Sequence, residues 1–111
     1  ARIREHARLA CRFASWIDGC PEMERLAEVP FSVVCFRAHP QGVDDERELE
    51  RLNAAVLDEV NSRGEVFLSH TKLHGRYSLR LAIGNLATGE THVRRAFESI
   101  CRAAGIAAPP G

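Results

Sequence analysis

Three stretches of the chain carry apolar residues at helical spacing. The first stretch is amphipathic from the start of the sequence and ends at Asp18-Gly19, just before Pro21. No capping residue precedes it, and we interpret this start as that of a chain cut from a longer one. The apolar stripe of this predicted helix is formed by Ile3, Ala7, Ala10, Phe13, Ala14 and Ile17.

The second and third helical stretches have signals at their ends. Asp45 and Glu48 have the spacing of a capping box, with Asp in place of Ser or Thr. Gly64 stands where the end of a helix favours a left-handed residue. We expect Thr88 to cap the third helix, which ends at Gly105. The apolar stripes are Leu49, Leu52, Val56 and Val60 in the second helix, and Val93, Phe97, Ile100 and Ala104 in the third.

Four short runs between these helices predict β-strands. Residues 23–29 and 31–37 lie between the first two helices, and residues 66–72 and 76–83 follow the second. His74-Gly75 supplies a turn that can reach positive φ, so the last two runs are expected to form a hairpin.

Two of these runs have informative faces. The run 31–37 is apolar on both faces, so we expect both to be covered in the fold. Its two faces consist of Phe31, Val33 and Cys35 on one side and of Val34 and Phe36 on the other. The run 76–83 alternates strictly, with Tyr77, Leu79, Leu81 and Ile83 on one face and Ser78, Arg80, Ala82 and Gly84 on the other.

The predicted order of elements is α-β-β-α-β-β-α. Short connections favour hairpins, so the four strands should form a mainly antiparallel sheet, and three amphipathic helices need a common partner. We therefore predict an α+β two-layer sandwich with the helices on one face of the sheet. Its domain should cover residues 1–105, followed by a tail at 106–111 that is frayed from Ala107 onward. One core should contain Phe13, Val56, Leu79, Leu81 and Phe97.

Length and composition restrict the class of protein. The 111 residues are enough for one domain, and 45% apolar with 27% charged residues is ordinary for a globular chain. The net charge is zero, which gives no support for a nucleic-acid partner. No run approaches the ~18 apolar residues of a membrane span, and the first residues lack the apolar region of a signal peptide. We therefore expect no membrane partner.

The four cysteines give no sign of a metal site. Their spacings contain no Cys-x-x-Cys pair and fit no zinc motif. We interpret Cys11, Cys20, Cys35 and Cys101 as buried free thiols in a reducing cytoplasm.

Arg80 is the candidate binding residue. It lies in the middle of a predicted strand, among the small residues Ser78, Ala82 and Gly84. Small neighbours let another surface approach, and a guanidinium binds carboxylate or phosphate through two parallel hydrogen bonds. A solvated arginine, or one paired with a nearby glutamate, is the alternative, and the pattern alone favours that alternative.

The other polar residues have simpler explanations. His70 and His74 fall on a strand and a turn, where a spacing of four does not bring two imidazoles together. Lys72 is the only lysine, and we expect it to be exposed beside the hairpin turn rather than to form a Schiff base. The acidic residues at 44–48 match the dipole at the start of a helix.

Several segments resemble one known family in the same order. They are VVCFR at 33–37, FLSHT at 67–71, GRYSLRLAIGN at 75–85 and HVRRAF at 92–97, preceded by the opening helix at 3–9. Over about residues 1–104, the chain resembles the C-terminal small domain of the group II pyridoxal-phosphate-dependent decarboxylases. The aromatic-L-amino-acid decarboxylases are its nearest members in appearance.

The resemblance implies a parent enzyme of fold-type I. In such enzymes a large domain carries pyridoxal phosphate (PLP) with its Schiff-base lysine, and the sheet of the small domain lies against it. The parent is then expected to be a homodimeric, cytoplasmic lyase acting on an aromatic amino acid. In related glutamate decarboxylases the arginine matching Arg80 contacts the substrate carboxylate, so the resemblance implies a substrate-binding role for Arg80.

The sequence lacks the Schiff-base lysine motif of this family. The family's Schiff-base lysine directly follows a histidine, whereas Lys72 is separated from His70 by one residue and belongs to the small domain. We therefore expect this chain alone to hold no cofactor and no catalytic residue, and to be inactive.

A stand-alone α+β module for ligand binding or dimerisation is the second hypothesis. Exposure of Val34, Phe36, Arg80 and Ala82 on a monomer would favour a missing partner domain. A dimer formed through the sheets, with a small-molecule pocket, would favour the module.

Overall fold

The computed structural model describes residues 2–27, 32–64, 66–83 and 89–110, with side chains described from Glu5 onward. The elements follow the predicted order α-β-β-α-β-β-α, which is confirmed. They are α1 (Arg2–Asp18), β1 (Met23–Arg25), β2 (Val33–Ala38), α2 (Glu46–Arg63), β3 (Ser69–Leu73), β4 (Arg76–Ala82) and α3 (Glu90–Ala104). The predictions for Phe31, Gly84 and Thr88, and for the side chain of Ile3, fall outside the described residues.

Local signals set the ends of the helices. Asp45 caps α2 by accepting a hydrogen bond from the backbone N–H of Arg47 at 2.9 Å, so the cap is confirmed, although its partner is Arg47 and not Glu48. Gly64 has φ 75° and ends α2 in the left-handed conformation, as predicted. Helix α3 begins at Glu90, with Gly89 at its N-cap position.

The hairpin also follows its local signal. His74 and Gly75 have φ values of 52° and 78°, and positive φ at both central residues is typical of the tight turn that matches the twist of a β-hairpin. Strands β3 and β4 pair from Leu73↔Arg76 to Ser69↔Arg80. β1 is shorter than predicted, with three residues.

All three strand pairings are antiparallel, and the strand order is β1-β2-β4-β3. Residues paired across an antiparallel sheet project from the same face. The register Phe36↔Leu79 therefore belongs to one face, while Cys35↔Arg80 belongs to the other.

The helices pack on the face that carries Leu79. The five predicted core residues are fully buried in one cluster: Phe13, Val56, Leu79, Leu81 and Phe97. The ring of Phe13 lies edge-on to those of Phe36 and Phe97, at centroid distances of 5.4 and 6.0 Å. This confirms the two-layer α+β sandwich.

The structure differs from the sequence-based interpretation at β2 and at one cysteine of α1. Val34 and Phe36, whose exposure would have favoured a missing partner domain, are fully buried under the helices, because Val34 pairs with Leu81 and Phe36 with Leu79. Cys11 is exposed, because it lies off the buried stripe of α1. After α3, Ile106 is buried and Arg94 donates to the carbonyl of Pro109.

Asn53 is the buried polar residue that ties α2 to the sheet. Its Oδ1 accepts from the N–H of Ala38 at 2.8 Å, and its Nδ2 donates to the carbonyls of Ala38 at 3.0 Å and Leu49 at 2.8 Å. Leu52, which was expected in the buried stripe, is only partly buried. The inner face of α2 is therefore rotated toward Asn53, which exchanges hydrogen bonds with the end of β2.

Candidate functional site

The face of the sheet opposite the helices carries Arg80. Its cross-strand neighbours on that face are Cys35 on β2 and Ser69 on β3. Along β4, Ser78 is buried and Ala82 is half-buried. As predicted, short side chains surround the guanidinium, and Leu79 and Leu81 lie on the opposite face. We call this surface the open face and define it by Val33, Cys35, Ser69, Arg80 and Ala82.

Arg80 is half-buried and only weakly engaged. Its Nη1 donates to the hydroxyl of Ser69 at 3.4 Å, the long end of a hydrogen bond. Within the described part of the chain, no carboxylate forms an ion pair with it. Most N–H donors of the Arg80 guanidinium are therefore available to an acceptor outside the described residues.

Arg37 of β2 lies on the same side of the sheet as Arg80, but its guanidinium is engaged in two ion pairs. Its side chain is only 3% exposed, and it contacts Oε1 of Glu24 and Oε2 of Glu46, each at 2.8 Å. Burial alone would lower the pKa of Arg37, but the hydrogen bonds to Glu46 and Glu24 raise it above its ordinary value. Arg37 thus joins β1 to the start of α2 and is a structural residue.

Sequence reasoning missed this role of Arg37. The available signal was a charged residue ending an apolar strand shortly before an acidic helix start, which favours an ion pair between the two.

Glu24 is the centre of this ionic cluster. It lies 2.8 Å from Nε of Arg37, 2.9 Å from Nδ1 of His39 and 3.7 Å from Nη1 of Arg76. Partial burial alone would raise the pKa of Glu24, but the hydrogen bonds from His39 and Arg37 lower it below the ordinary 4.5. The charged carboxylate is therefore favoured by folding.

We expect this cluster to lose its stabilising effect in acid. A carboxyl whose pKa is lowered by folding stabilises the fold above its unfolded value, here about 4.5, and that stabilisation disappears as the pH falls through the lower folded value. The stabilities of the wild type and of Glu24→Gln in urea unfolding should therefore differ at pH 7, and the difference should be smaller at pH 3.

The matched control for this prediction is Glu50→Gln. Glu50 pairs with Lys72 at 3.6 Å, but both side chains are about half exposed or more, and such pairs contribute little. Its variant should unfold almost like the wild type at both pH values. Equal stability of Glu24→Gln and wild type at pH 7 would contradict the role assigned to Glu24.

The other residues considered as candidates in the sequence have ordinary structural positions. The side chain of Lys72 is 63% exposed, which confirms the expectation. The ring of His70 stacks on that of Tyr77 at 5.0 Å, and Tyr77 is buried. In the ranges that the structure covers, no three His, Cys, Asp or Glu side chains converge as a metal site, and no helix is long and apolar enough to cross a membrane.

The cysteines divide into three environments. Cys101 is buried, as predicted, and Cys20 is buried as well. Cys35, which was expected to be buried, is half-buried on the open face, and Cys11 is exposed. Burial raises the pKa of the Cys101 thiol to about 12. A thiol so far from ionising is a packing group rather than a nucleophile.

Comparison with known proteins finds decarboxylases with sequences similar to this chain. No protein-family model matches the sequence. Tryptophan decarboxylase TDC1 of Camptotheca acuminata is 38% identical over 106 residues, which are 96% of this chain and 21% of that protein. Tyrosine decarboxylase 2 of Arabidopsis thaliana is 41% identical over 98 residues, or 88% of this chain and 18% of that protein.

Solved structures of decarboxylases also match nearly the whole chain. TDC of Oryza sativa, determined with PLP and tryptamine, matches 93% of this chain with a TM-score of 0.86 and 28% identity. Tryptophan decarboxylase of Catharanthus roseus, in complex with L-tryptophan, matches 93% with a TM-score of 0.83 and 36% identity. The matched region is 22% and 21% of those chains.

The fold and the open face define a small α+β domain in which the described helices cover one side of the sheet and leave Arg80 on the other. In sequence and in fold, this domain corresponds to a small C-terminal part of the aromatic amino acid decarboxylases, as the resemblance predicted. The chain spans about a fifth of the length of the curated relatives that it matches.

Proposed function

We propose that this chain is the C-terminal domain of a PLP-dependent decarboxylase that acts on aromatic L-amino acids. One observation carries the proposal: nearly the whole chain matches a part of tryptophan decarboxylases in sequence, at 38% identity, and in fold, with a TM-score of 0.83 or more. The domain is residues 1–105, and the parent is a carboxy-lyase.

In this proposal the open face lies against the rest of the parent. Arg80 points away from the helices, is surrounded by short side chains and has no carboxylate partner among the described residues. We assign it the binding or orientation of the anionic end of the substrate, because a guanidinium can hold a carboxylate through two parallel bonds. Residues elsewhere in the parent supply the remainder of the site.

The residues of this chain do not fit the cofactor itself. When bound, PLP supplies an electron sink for the carbanion left by loss of carbon dioxide. Its attachment needs a lysine of lowered pKa in a protected site, whereas Lys72 is exposed beside Glu50. We therefore place cofactor attachment in the parent's large domain, outside this chain.

Two further proposals concern the parent as a whole. The free, buried thiols of Cys20 and Cys101 agree with a reducing compartment, and we propose the cytoplasm. The homodimer is proposed from the family resemblance.

We expect the 111-residue chain to be inactive and the full-length protein to decarboxylate tryptophan, tyrosine or phenylalanine. The chain should be mixed with PLP, reduced with borohydride and searched for modified lysine by mass spectrometry, with amine and carbon dioxide as the activity readout. Stoichiometric modification of Lys72 together with turnover would contradict the proposal.

The product of the full-length protein is the second readout. Phenylacetaldehyde synthase of Arabidopsis thaliana is 41% identical over 98 residues, 20% of its length. Release of an aldehyde instead of an amine would therefore replace the decarboxylase assignment by that of an aldehyde-forming relative.

A further inference from the structure

Phe67 is the exposed large hydrophobic side chain among the residues that the structure describes. It is 69% exposed, while its neighbours Val66 and Leu68 are 7% and 1% exposed and belong to the core. An exposed aromatic between two buried residues is therefore presented outward by a segment that is itself anchored.

Asn61 of α2 provides the anchor. Its Oδ1 accepts from the N–H of Leu68 at 2.7 Å, and its Nδ2 donates to the carbonyl of Leu68 at 2.9 Å. This pair of hydrogen bonds satisfies the backbone of Leu68 outside any strand and fixes its side chain toward the core. Asn61 is thus a positioning residue for the segment that carries Phe67.

The direction of Phe67 follows from the strand that begins two residues later. Ser69 faces the open side of the sheet, since it pairs with Arg80. Leu68 lies in the core, so the alternation of an extended chain puts Phe67 on the side of Ser69. Phe67, Ser69 and Arg80 then form one continuous surface, with an aromatic ring at its edge and a guanidinium toward its centre.

We infer that Phe67 is an anchor residue for the part of the parent polypeptide that, in the proposed function, lies against the open face beside Arg80. The inference rests on the proposed function and adds the contact residue. Buried aromatic side chains dominate the energetics of interfaces, and the matched relatives are about five times as long as this chain, so ample chain exists to cover the face.

Charge favours this occupant over a second copy of the domain. A two-fold symmetric contact buries the same patch from both copies, so a contact centred on Arg80 would bring two guanidiniums together. The rest of the parent polypeptide, whose surface differs from the open face, can supply a hydrogen-bond acceptor for Arg80 and a pocket for Phe67.

The test compares Phe67→Ser in two proteins, the 111-residue chain and the full-length protein that contains it. In the chain, the variant should leave the melting temperature unchanged, because the ring is mostly in water. In the full-length protein, limited proteolysis between the domains should become at least about tenfold faster, since loss of an anchor of about 1.4 kcal/mol shifts the docking equilibrium by one decade. Phe67→Tyr keeps an aromatic ring, so this variant of the full-length protein should be cleaved about as slowly as the wild type.

His70→Ser is the matched control, because it removes a ring from the adjacent strand on the opposite face. Its effect on cleavage between the domains should be small. Unchanged proteolysis of full-length Phe67→Ser overturns the inference, and so does an equal loss of melting temperature in the isolated chain. Absence of decarboxylation by the wild-type full-length protein would overturn the proposed function instead, so the two failures are distinguishable.

Discussion

Replacement of Asn53 by alanine is expected to destabilise the 111-residue chain by about 3–5 kcal/mol, which is a large share of the stability of a domain of this size. Asn53 is fully buried and makes three hydrogen bonds to backbone groups, two of them with Ala38. Alanine would leave the N–H and the carbonyl of Ala38 without that partner at the end of β2. Urea unfolding followed by circular dichroism measures the loss.

Asn61→Ala is the matched control for Asn53→Ala. Asn61 lies two turns further along α2 and also bonds the N–H and carbonyl of one residue, Leu68, but it is half-buried. Water can replace its bonds, so its loss should cost only about 1–2 kcal/mol. Equal costs for the two variants would show that burial does not set the importance of Asn53.

Asn53 also illustrates what the sequence could not predict. The apolar pattern of α2 includes Leu52, which is only partly buried, while the polar Asn53 is fully buried. The stripe predicts a helix and its approximate inner face, but hydrogen bonds to Ala38 rotate the preferred face by one position. Those bonds depend on where β2 ends relative to α2, and that distance is absent from any local pattern.

The orientation of β2 was undetermined for a related reason. Both alternating sets of this strand are apolar, so either Val33 and Cys35 or Val34 and Phe36 could face the helices. The register with β4 decides between them, because Val34 pairs with Leu81 and is drawn into the core. Strand β4 has one apolar and one polar face, and its orientation could be predicted from the sequence alone.

Signals contained within a few residues were reliable. Asp45, Gly64 and the His74-Gly75 turn act on the backbone next to them, and each was predicted at the position where the structure has it. The direction of Arg80 also followed from the strict alternation of its own strand. No local pattern indicates what Arg80 binds, and its substrate-binding role is a proposal that rests on the family resemblance.

Arg80→Ala is expected to lower kcat/KM of the full-length protein at least about tenfold while leaving the isolated chain intact. Truncating one partner of a buried charged contact costs about 2–5 kcal/mol, and about 1.4 kcal/mol is one decade in rate. Arg80→Lys should recover only part of the activity, because an ammonium cannot reproduce the two parallel bonds of a guanidinium. Steady-state kinetics with an aromatic L-amino acid give the first half of the measurement.

Thermal unfolding of the 111-residue chain gives the second half, with Arg37→Ala as the matched control. Arg37 and Arg80 belong to neighbouring strands on the same side of the sheet, but Arg37 bridges Glu24 and Glu46, whereas Arg80 reaches only the hydroxyl of Ser69 at 3.4 Å. Arg37→Ala should therefore lower the melting temperature clearly, and Arg80→Ala should barely change it. The opposite ranking, with full activity retained by Arg80→Ala in the parent, would make Arg80 a structural residue and remove it from the site.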